Sequence, residues 1–480
     1  MDTRILNQAI YDKYIRPTKR PKQPFVGVEF ELPIVNLKKE PVDFRLVHEM
    51  TEAFGKEFGF TVQGRDDDGF VNSMASEVNG DDLSFDCSYN TLEFSFGVER
   101  DLNELNRRFR AYYTFVREKL QAEDHTLTGM GINPYHQYNR NVPIPNGRYR
   151  MLFHHLSSYR KYSDRMRFHD IPNFGLISCA SQIHLDVEED EIVRTINAFY
   201  RLEPLKALIF ANSPLGEDLL CSRDHLWKKS LHGLNPHNVD GFAKELRSVD
   251  EVVAYYRSMS LYCLERDGKY INFEPTPLIE YFNRDRIFGE YFNGEEYENI
   301  VFEPRIEDLE YLRSFKFEDL TYRGTIEFRS VCEQPAGEIF AAPAFHAGLK
   351  ENLDELEQVL ADDRGIYQQS YSVDELREMF VRRDLPDFLD KRKTSQTLMR
   401  ILEIAEDGLR KRGQNEEHFL APLYARAEKL LSPAREMVEG IEQNKTLEYY
   451  IEKFSELDAG SVQRSMNLYG SGTARSRYNA

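Results

Sequence analysis

The sequence contains a single tryptophan and only five cysteines in 480 residues. The cysteines, Cys87, Cys179, Cys221, Cys263 and Cys332, are widely spaced, and no two have CxxC spacing. That excludes a disulfide scaffold and leads us to expect a reduced, cytoplasmic chain. No stretch approaches roughly 18 continuous apolar residues, so no membrane span is expected. The opening MDTRILNQAIYDKYIRPTKR has no apolar run followed by small residues, so no secretory leader is expected. Positive charge is also scarce: 62 Lys and Arg face 81 Asp and Glu, giving a formal net charge of -19. So acidic a surface argues against nucleic acid or anionic lipid as the main partner. P-loop, GxGxxG, HExxH and GxSxG motifs are missing, and so is any internal repeat.

What the sequence does have is aromatic and patterned. With 32 Phe and 27 Tyr it can bury a large core. FVGVEFELPIV alternates as a strand, LVHEMTEAFGKEFG reads as a helix, and DLSFDCSYNTLEFSF as one or two strands. LNELNRRFRAYYTFVREKLQAE is a long amphipathic helix with Leu105, Phe109, Tyr112, Phe115 and Leu120 near one face. TLTGMGINPY reads as a strand ending in a turn, NVPIPNGRYRMLFHHL as a loop entering a helix, and FGLISCASQIHLDV as a strand. EDEIVRTINAFYRLEPLKALIFA is helical, LTYRGTIEFRSV is a late strand, and from about residue 337 nearly everything is helix. In AEDGLRKRGQ, Gly413 follows a basic last turn, a helix stop. The expected divisions are an N-terminal helix (Ile5, Ala9, Ile10 and Tyr14 inward) with a basic linker over 1–24, an α+β body over 25–350, a helical region over 351–458, and a Gly/Ser-rich mobile tail over 459–480.

Four strands carry acid or imidazole opposite their apolar residues: Glu29 and Glu31, Glu93, His184, and Glu327 with Arg329. Asp86 lies seven residues before Glu93, so both face one way only if a turn or bulge intervenes, and CSYN suits one. Oxygen donors with one imidazole suit Mg2+ or Mn2+, and a cation explains why like charges stand together. Plainer accounts exist for each: a solvated Glu-x-Glu face, a hydrogen-bonded structural histidine, a surface ion pair.

Nine stretches, taken together and in order, resemble the glutamate–cysteine ligases, and most closely their plant-type and related bacterial branch. They are GVEFE (27–31), DCSYNTLEF (86–94), IPNGRYRML (144–152), SQIHLDV (181–187), LIFANSPL (208–215), RDHLW (223–227), TIEFRS (325–330), PAFHAGL (343–349) and IAEDGLRKRG (404–413). The resemblance implies a curved, mainly antiparallel sheet forming a funnel, as in glutamine synthetase, with helices outside. It implies an ATP-dependent ligase that passes through a γ-glutamyl phosphate and joins glutamate to the amine of cysteine. By this resemblance Glu29, Glu31, Asp86, Glu93, His184 and Glu327 hold Mg2+, and Arg329 with Glu327 serves the transferred phosphoryl group. Arg148, Tyr149 and Gln182 face the amino-acid substrates, and Arg223 and Trp227 line the nucleotide side. The position of His184 varies between His and Asn in the family. Two alternatives stay open: a γ-glutamyl ligase for another amine, and a metal-dependent hydrolase. The acidic, aromatic stretch over 282–312 reads either as a lid or as a solvated excursion.

Overall fold

The computed structural model describes residues 2–457 apart from 164–166, 217, 243, 364 and 368–369. The expected mobile tail lies outside the described residues. The first strands are β1 (Val26–Asn36), β2 (Thr61–Arg65), β3 (Val71–Ala75), β4 (Asp82–Phe85), β5 (Thr91–Glu99), β6 (His125–Leu127) and β7 (Ser181–Asp186). Then come β8 (Val239–Asp240), β9 (Ser260–Arg266), β10 (Lys269–Pro277), β11 (Ile287–Phe292), β12 (Tyr297–Phe302), β13 (Phe315–Lys316), β14 (Glu318–Leu320) and β15 (Thr325–Phe328). Nine of these form an open sheet in the order β14-β15-β7-β1-β5-β4-β3-β2, with β6 paired to β1. A separate four-stranded sheet runs β12-β11-β10-β9, and β8 and β13 form a short parallel pair. The chain is thus a mixture of helices and mainly antiparallel sheet.

The large sheet is centred on β1 because both faces of that strand are used. Val26, Val28, Phe30 and Leu32 have no solvent exposure. Phe30 meets Phe96, Phe109 and Phe340 edge-on at centroid separations of 6.1, 5.5 and 5.3 Å. Each such fully buried ring contributes about 2–3 kcal/mol. Phe109 belongs to the helix Leu102–Gln121, whose Leu105, Tyr112 and Leu120 are also buried and whose start is capped by Asp101. The opposite face of β1 carries Gly27, Glu29 and Glu31 and is turned away from this helical layer.

Helices Ala341–Glu351 and Lys391–Arg412 cross where Gly348 meets Gly408. A Cβ on Gly408 would lie 1.9 Å from the Gly348 carbonyl oxygen, and one on Gly348 would lie 2.1 Å from that of Ala405. The stretches PAFHAGL and IAEDGLRKRG are the two sides of this crossing. Gly413 ends the second helix at φ 73°.

Some local expectations are corrected. Ile5 is 56% exposed, and Leu6, Ile10 and Tyr14 take the inward face. The helix Thr3–Ile10 widens into a π turn over Tyr11–Ile15. Residues 16–24 are no free linker: Arg20 donates to both oxygens of Asp186 at 2.6 and 2.7 Å, and the Lys22 ammonium to Glu191 at 2.7 Å. TLTGMGINPY is strand only at its start. Gly129 and Gly131 press too closely on residues 332–336 for a regular ladder there. Residues 282–312 supply the hairpin β11–β12 and a 3-10 turn over Ile306–Tyr311.

Candidate active site

Strand register decides which side chains meet, because cross-strand partners share a face. β1 places Glu29 opposite Gln182 of β7 and Gly27 opposite His184. It places Glu31 opposite Glu93 of β5. β15 places Glu327 opposite His184, and β14 places Asp319 opposite Glu327. The four strands singled out in the sequence are therefore consecutive neighbours, β15-β7-β1-β5. Asp86 leaves β4 into a turn in which Cys87 adopts φ 62°, and this turn absorbs the odd spacing to Glu93.

The row opens into a cavity of about 460 Å3. Glu29, Glu31, Asp86, Glu93, Gln182, Glu327 and Arg329 line it, together with Arg148, Tyr149, Arg223 and Trp227. His184 lies beneath the surface, with Nε2 3.1 Å from Glu29 and 3.9 Å from Glu327. Potential ligand atoms of Glu29, His184 and Glu327 all fall within 4.8 Å of one another. Gly27 leaves space for the imidazole, since a Cβ there would sit 3.3 Å from that of His184.

The remaining residues are held from behind. Glu31 accepts the Ala180 amide at 2.7 Å and the Gln182 amide at 2.6 Å. Glu93 accepts the Ser95 hydroxyl at 2.7 Å. Arg329 pairs with Glu327. Arg223 donates to the carbonyls of Arg329, Ser330 and Val331 at 3.3, 3.5 and 3.2 Å. Tyr149 donates to the Phe85 carbonyl, and Trp227 stacks on Phe315 with centroids 4.0 Å apart. One indole face is therefore already covered, so Trp227 forms wall more than platform.

Two carboxylates ~6 Å apart repel by about 3 kcal/mol at an effective dielectric near 20. Burial and this repulsion favour the protonated form at three of the four carboxyls. Burial, then the charges of Glu29 and Asp86, push Glu93 up to about 8. Burial, then Asp86 and Glu93, raise Glu31 well above the carboxylate range. Burial also raises Asp86, although Cys87, Arg148 and Arg329 oppose it. Glu29 differs: burial pushes it up, but His184, by hydrogen bond and charge, then Arg329 and Arg323, hold it below its ordinary value. Burial depresses His184, yet Glu327 and Glu29 carry it above its ordinary value. Among the described residues, Gln182 Oε1 and His184 Nδ1 find no hydrogen-bond partner. Crowded carboxylates whose charged forms are disfavoured by burial and mutual repulsion, together with these idle donor atoms, fit a hard divalent cation.

The family model for glutamate-cysteine ligase family 2 matches residues 25–465. The chain belongs to that family. The chloroplastic glutamate–cysteine ligase of Brassica juncea is 25% identical over 328 residues, which cover 65% of this chain and 57% of that protein. The Arabidopsis thaliana enzyme is 25% identical over 340 residues, covering 67% and 59%. The chain spans less than two thirds of the length of these relatives. A solved glutamate–cysteine ligase from Francisella tularensis in complex with AMP aligns over 94% of this chain and 93% of that one, with TM-score 0.43 and 12% identity. Among the described residues no helix is long and apolar enough to cross a membrane.

This family 2 chain also brings into the cavity residues that the strand motifs did not reveal: Asp319, Arg313, Arg323, and Lys13 from ahead of the matched region. Asp319 was within reach of the sequence. Counting back from Glu327 across the turn at Gly324 reaches it, and burial followed by the charge of Glu327 pushes it up to about 6. Arg313 and Lys13 sit outside regular strands, where no periodicity marks them.

A pH dependence follows. A carboxyl whose folded pKa is raised binds its proton more tightly when folded. Its stabilisation is complete below the unfolded value, near 4.3, and is lost as pH rises through the folded value. For Glu93 that window ends near 8. In metal-free buffer the melting temperature is expected to fall from about pH 5 to about pH 8 and to level off above that, and excess Mg2+ should flatten the slope. Scanning calorimetry checks this, and a metal-free slope unchanged by Glu93→Gln would contradict it.

Proposed function

We propose that this chain is an ATP-dependent ligase that joins the γ-carboxylate of glutamate to the amine of cysteine. The observation that carries the reading is one cavity in which the carboxylate row of four adjacent strands faces Arg329, in a chain of this family. A carboxylate is a poor acyl donor because hydroxide leaves badly. Transfer of the γ-phosphoryl group of ATP to the γ-carboxylate of glutamate releases ADP and gives an acyl phosphate. The amine then attacks the acyl carbon, and phosphate departs with the C–O bond electrons.

In this reading Glu29, Glu31, Asp86, Glu93, His184 and Glu327 hold Mg2+, with Mn2+ as the alternative ion. When bound, the cation neutralises phosphate charge that an acidic cavity would otherwise repel. Arg329 places a planar, permanently charged fork beside the phosphoryl oxygens. Arg148, Tyr149 and Gln182 orient the amino acids, and Arg223 and Trp227 bound the nucleotide side. The open sheet serves as the floor of a glutamine synthetase-like funnel. The five cysteines are all free and buried, which supports a reducing compartment, and we place the enzyme in the cytoplasm.

The test is one assay: pure protein with ATP, Mg2+ and glutamate, plus cysteine or a panel of other amines, with ADP release followed and the product weighed by mass spectrometry. ADP release that requires glutamate and cysteine together, with γ-glutamylcysteine formed, is the expected result. Product with another amine alone would keep the chemistry and overturn the acceptor. No ATP turnover with any amine would refute the ligase reading.

A further inference from the structure

Against the cavity wall, to which Asp224 and Ser330 contribute, lies a buried charged cluster whose centre does not line the cavity. At its centre is Arg377, on the helix Val373–Phe380, with its side chain 3% exposed. Its Nε donates to Asp224 Oδ2 at 2.5 Å, and Nη2 reaches Asp224 Oδ1 at 3.2 Å. Nη1 donates to the backbone oxygen of Glu203 at 2.8 Å and to its carboxylate at 2.5 Å. Nη2 also reaches the Ser330 carbonyl at 3.4 Å. The five N–H groups of a guanidinium are thus matched by five contacts, and the guanidinium also lies 4.6 Å from the Phe317 ring centroid.

The partners matter more than their number. Asp224 follows Arg223 on the short helix Ser222–Lys228, which also carries Trp227. Ser330 follows Arg329. The Ser330 carbonyl is therefore shared by Arg377 and Arg223, while the Ser330 hydroxyl donates to Glu203 at 2.8 Å. Lys206 completes the charge balance on Glu203. One guanidinium from the helical region beyond residue 351 thus fixes the segment carrying Arg223 against the segment carrying Arg329. We propose that Arg377 is a positioning residue: it sets the spacing of the two cavity arginines without touching substrate. This rests on the ligase reading for its kinetic consequence, but not for its geometry.

Lysine retains the charge facing Glu203 and Asp224 but cannot span five acceptors. Arg377→Lys is expected to fold, with unchanged far-UV circular dichroism, and to lose about 100-fold in kcat. KM for glutamate and ATP should change far less; a smaller folded fraction would give the same split, so kcat is taken per folded molecule, from the circular dichroism amplitude, and the Trp227 emission is read beside it. Trp227 is the only tryptophan, so its fluorescence reports this helix. Its emission should shift to the red as the stack on Phe315 loosens. Should Arg377→Lys not fold, Asp224→Asn removes the charge and one of the two acceptor oxygens of this link while leaving Arg377 paired with Glu203, and a smaller kcat loss with a red shift is expected. A folded variant with wild-type kcat and unshifted emission overturns the proposal. If the wild-type protein forms no γ-glutamyl product, the ligase reading fails, and the Trp227 emission alone decides the positioning role.

Discussion

Under the proposed ligase reading, Glu327→Gln is expected to lower turnover by about 1000-fold or more while leaving the fold intact. Glu327 stands where three features meet. It faces His184 across the β15–β7 ladder, pairs with Arg329, and offers a ligand atom to the same point as Glu29 and His184. Glutamine preserves the shape and one acceptor oxygen, so the strand and its burial survive. It removes the negative charge that holds Arg329 in place, and it turns an acceptor into an N–H donor aimed at a guanidinium or a cation. Metal affinity should fall with activity. Calorimetric titration with Mn2+, beside steady-state kinetics and circular dichroism, separates the two losses. Near-normal kcat would move Glu327 out of the chemistry, and undiminished Mn2+ affinity would take it out of the ligand set.

Gly408→Val should prevent folding, and Gly408→Ala should cost about 3 kcal/mol or more. The added carbon would stand 1.9 Å from a backbone oxygen on the facing helix, and backbone cannot rotate aside as a side chain can. The only relief is to part the helices Ala341–Glu351 and Lys391–Arg412. That would open the layer containing Leu349, Leu402 and Leu409, each with no exposure. Gly365, whose Cβ would meet nothing within 4 Å, gives the control. Urea denaturation of the two alanine variants measures the difference, and equal midpoints would show that the crossing has slack.

The sequence exposed the site better than it exposed the fold around it. Glu29, Glu31, Glu93, His184 and Glu327 were readable because strand alternation is strict and each stands among buried β-branched or aromatic neighbours. Asp86 was readable because CSYN offered a turn. That β15, β7, β1 and β5 are neighbours was not readable, since pairing depends on register between segments far apart in the chain. The second sheet was missed because β11 and β12 present exposed apolar residues, Phe288 and Val301, opposite each other, which blurs the alternation. The inward face of the N-terminal helix was misjudged at Ile5 because the next turn is a π turn and rotates Tyr14 and Ile15 relative to a 3.6-residue period. Arg377 was invisible in principle: a charge inside an amphipathic helix looks solvated until its acceptors are seen.

The order β15-β7-β1-β5 also has a history in time. β1 begins at Val26, yet the strand carrying Glu327 ends at Phe328, and the helix Lys391–Arg412 comes later still. A ribosome adding ~5–20 residues per second needs tens of seconds to deliver the missing neighbours. Until β15 and Phe340 are made, the nascent chain presents β7 with an open edge and Phe30 without one of its three aromatic partners, a state prone to pair with another chain. Slower synthesis lengthens this exposure, while cooling weakens the hydrophobic association that exploits it. The yield of folded protein is therefore expected to depend on holdase chaperones and expression temperature far more than on the stability of the finished molecule.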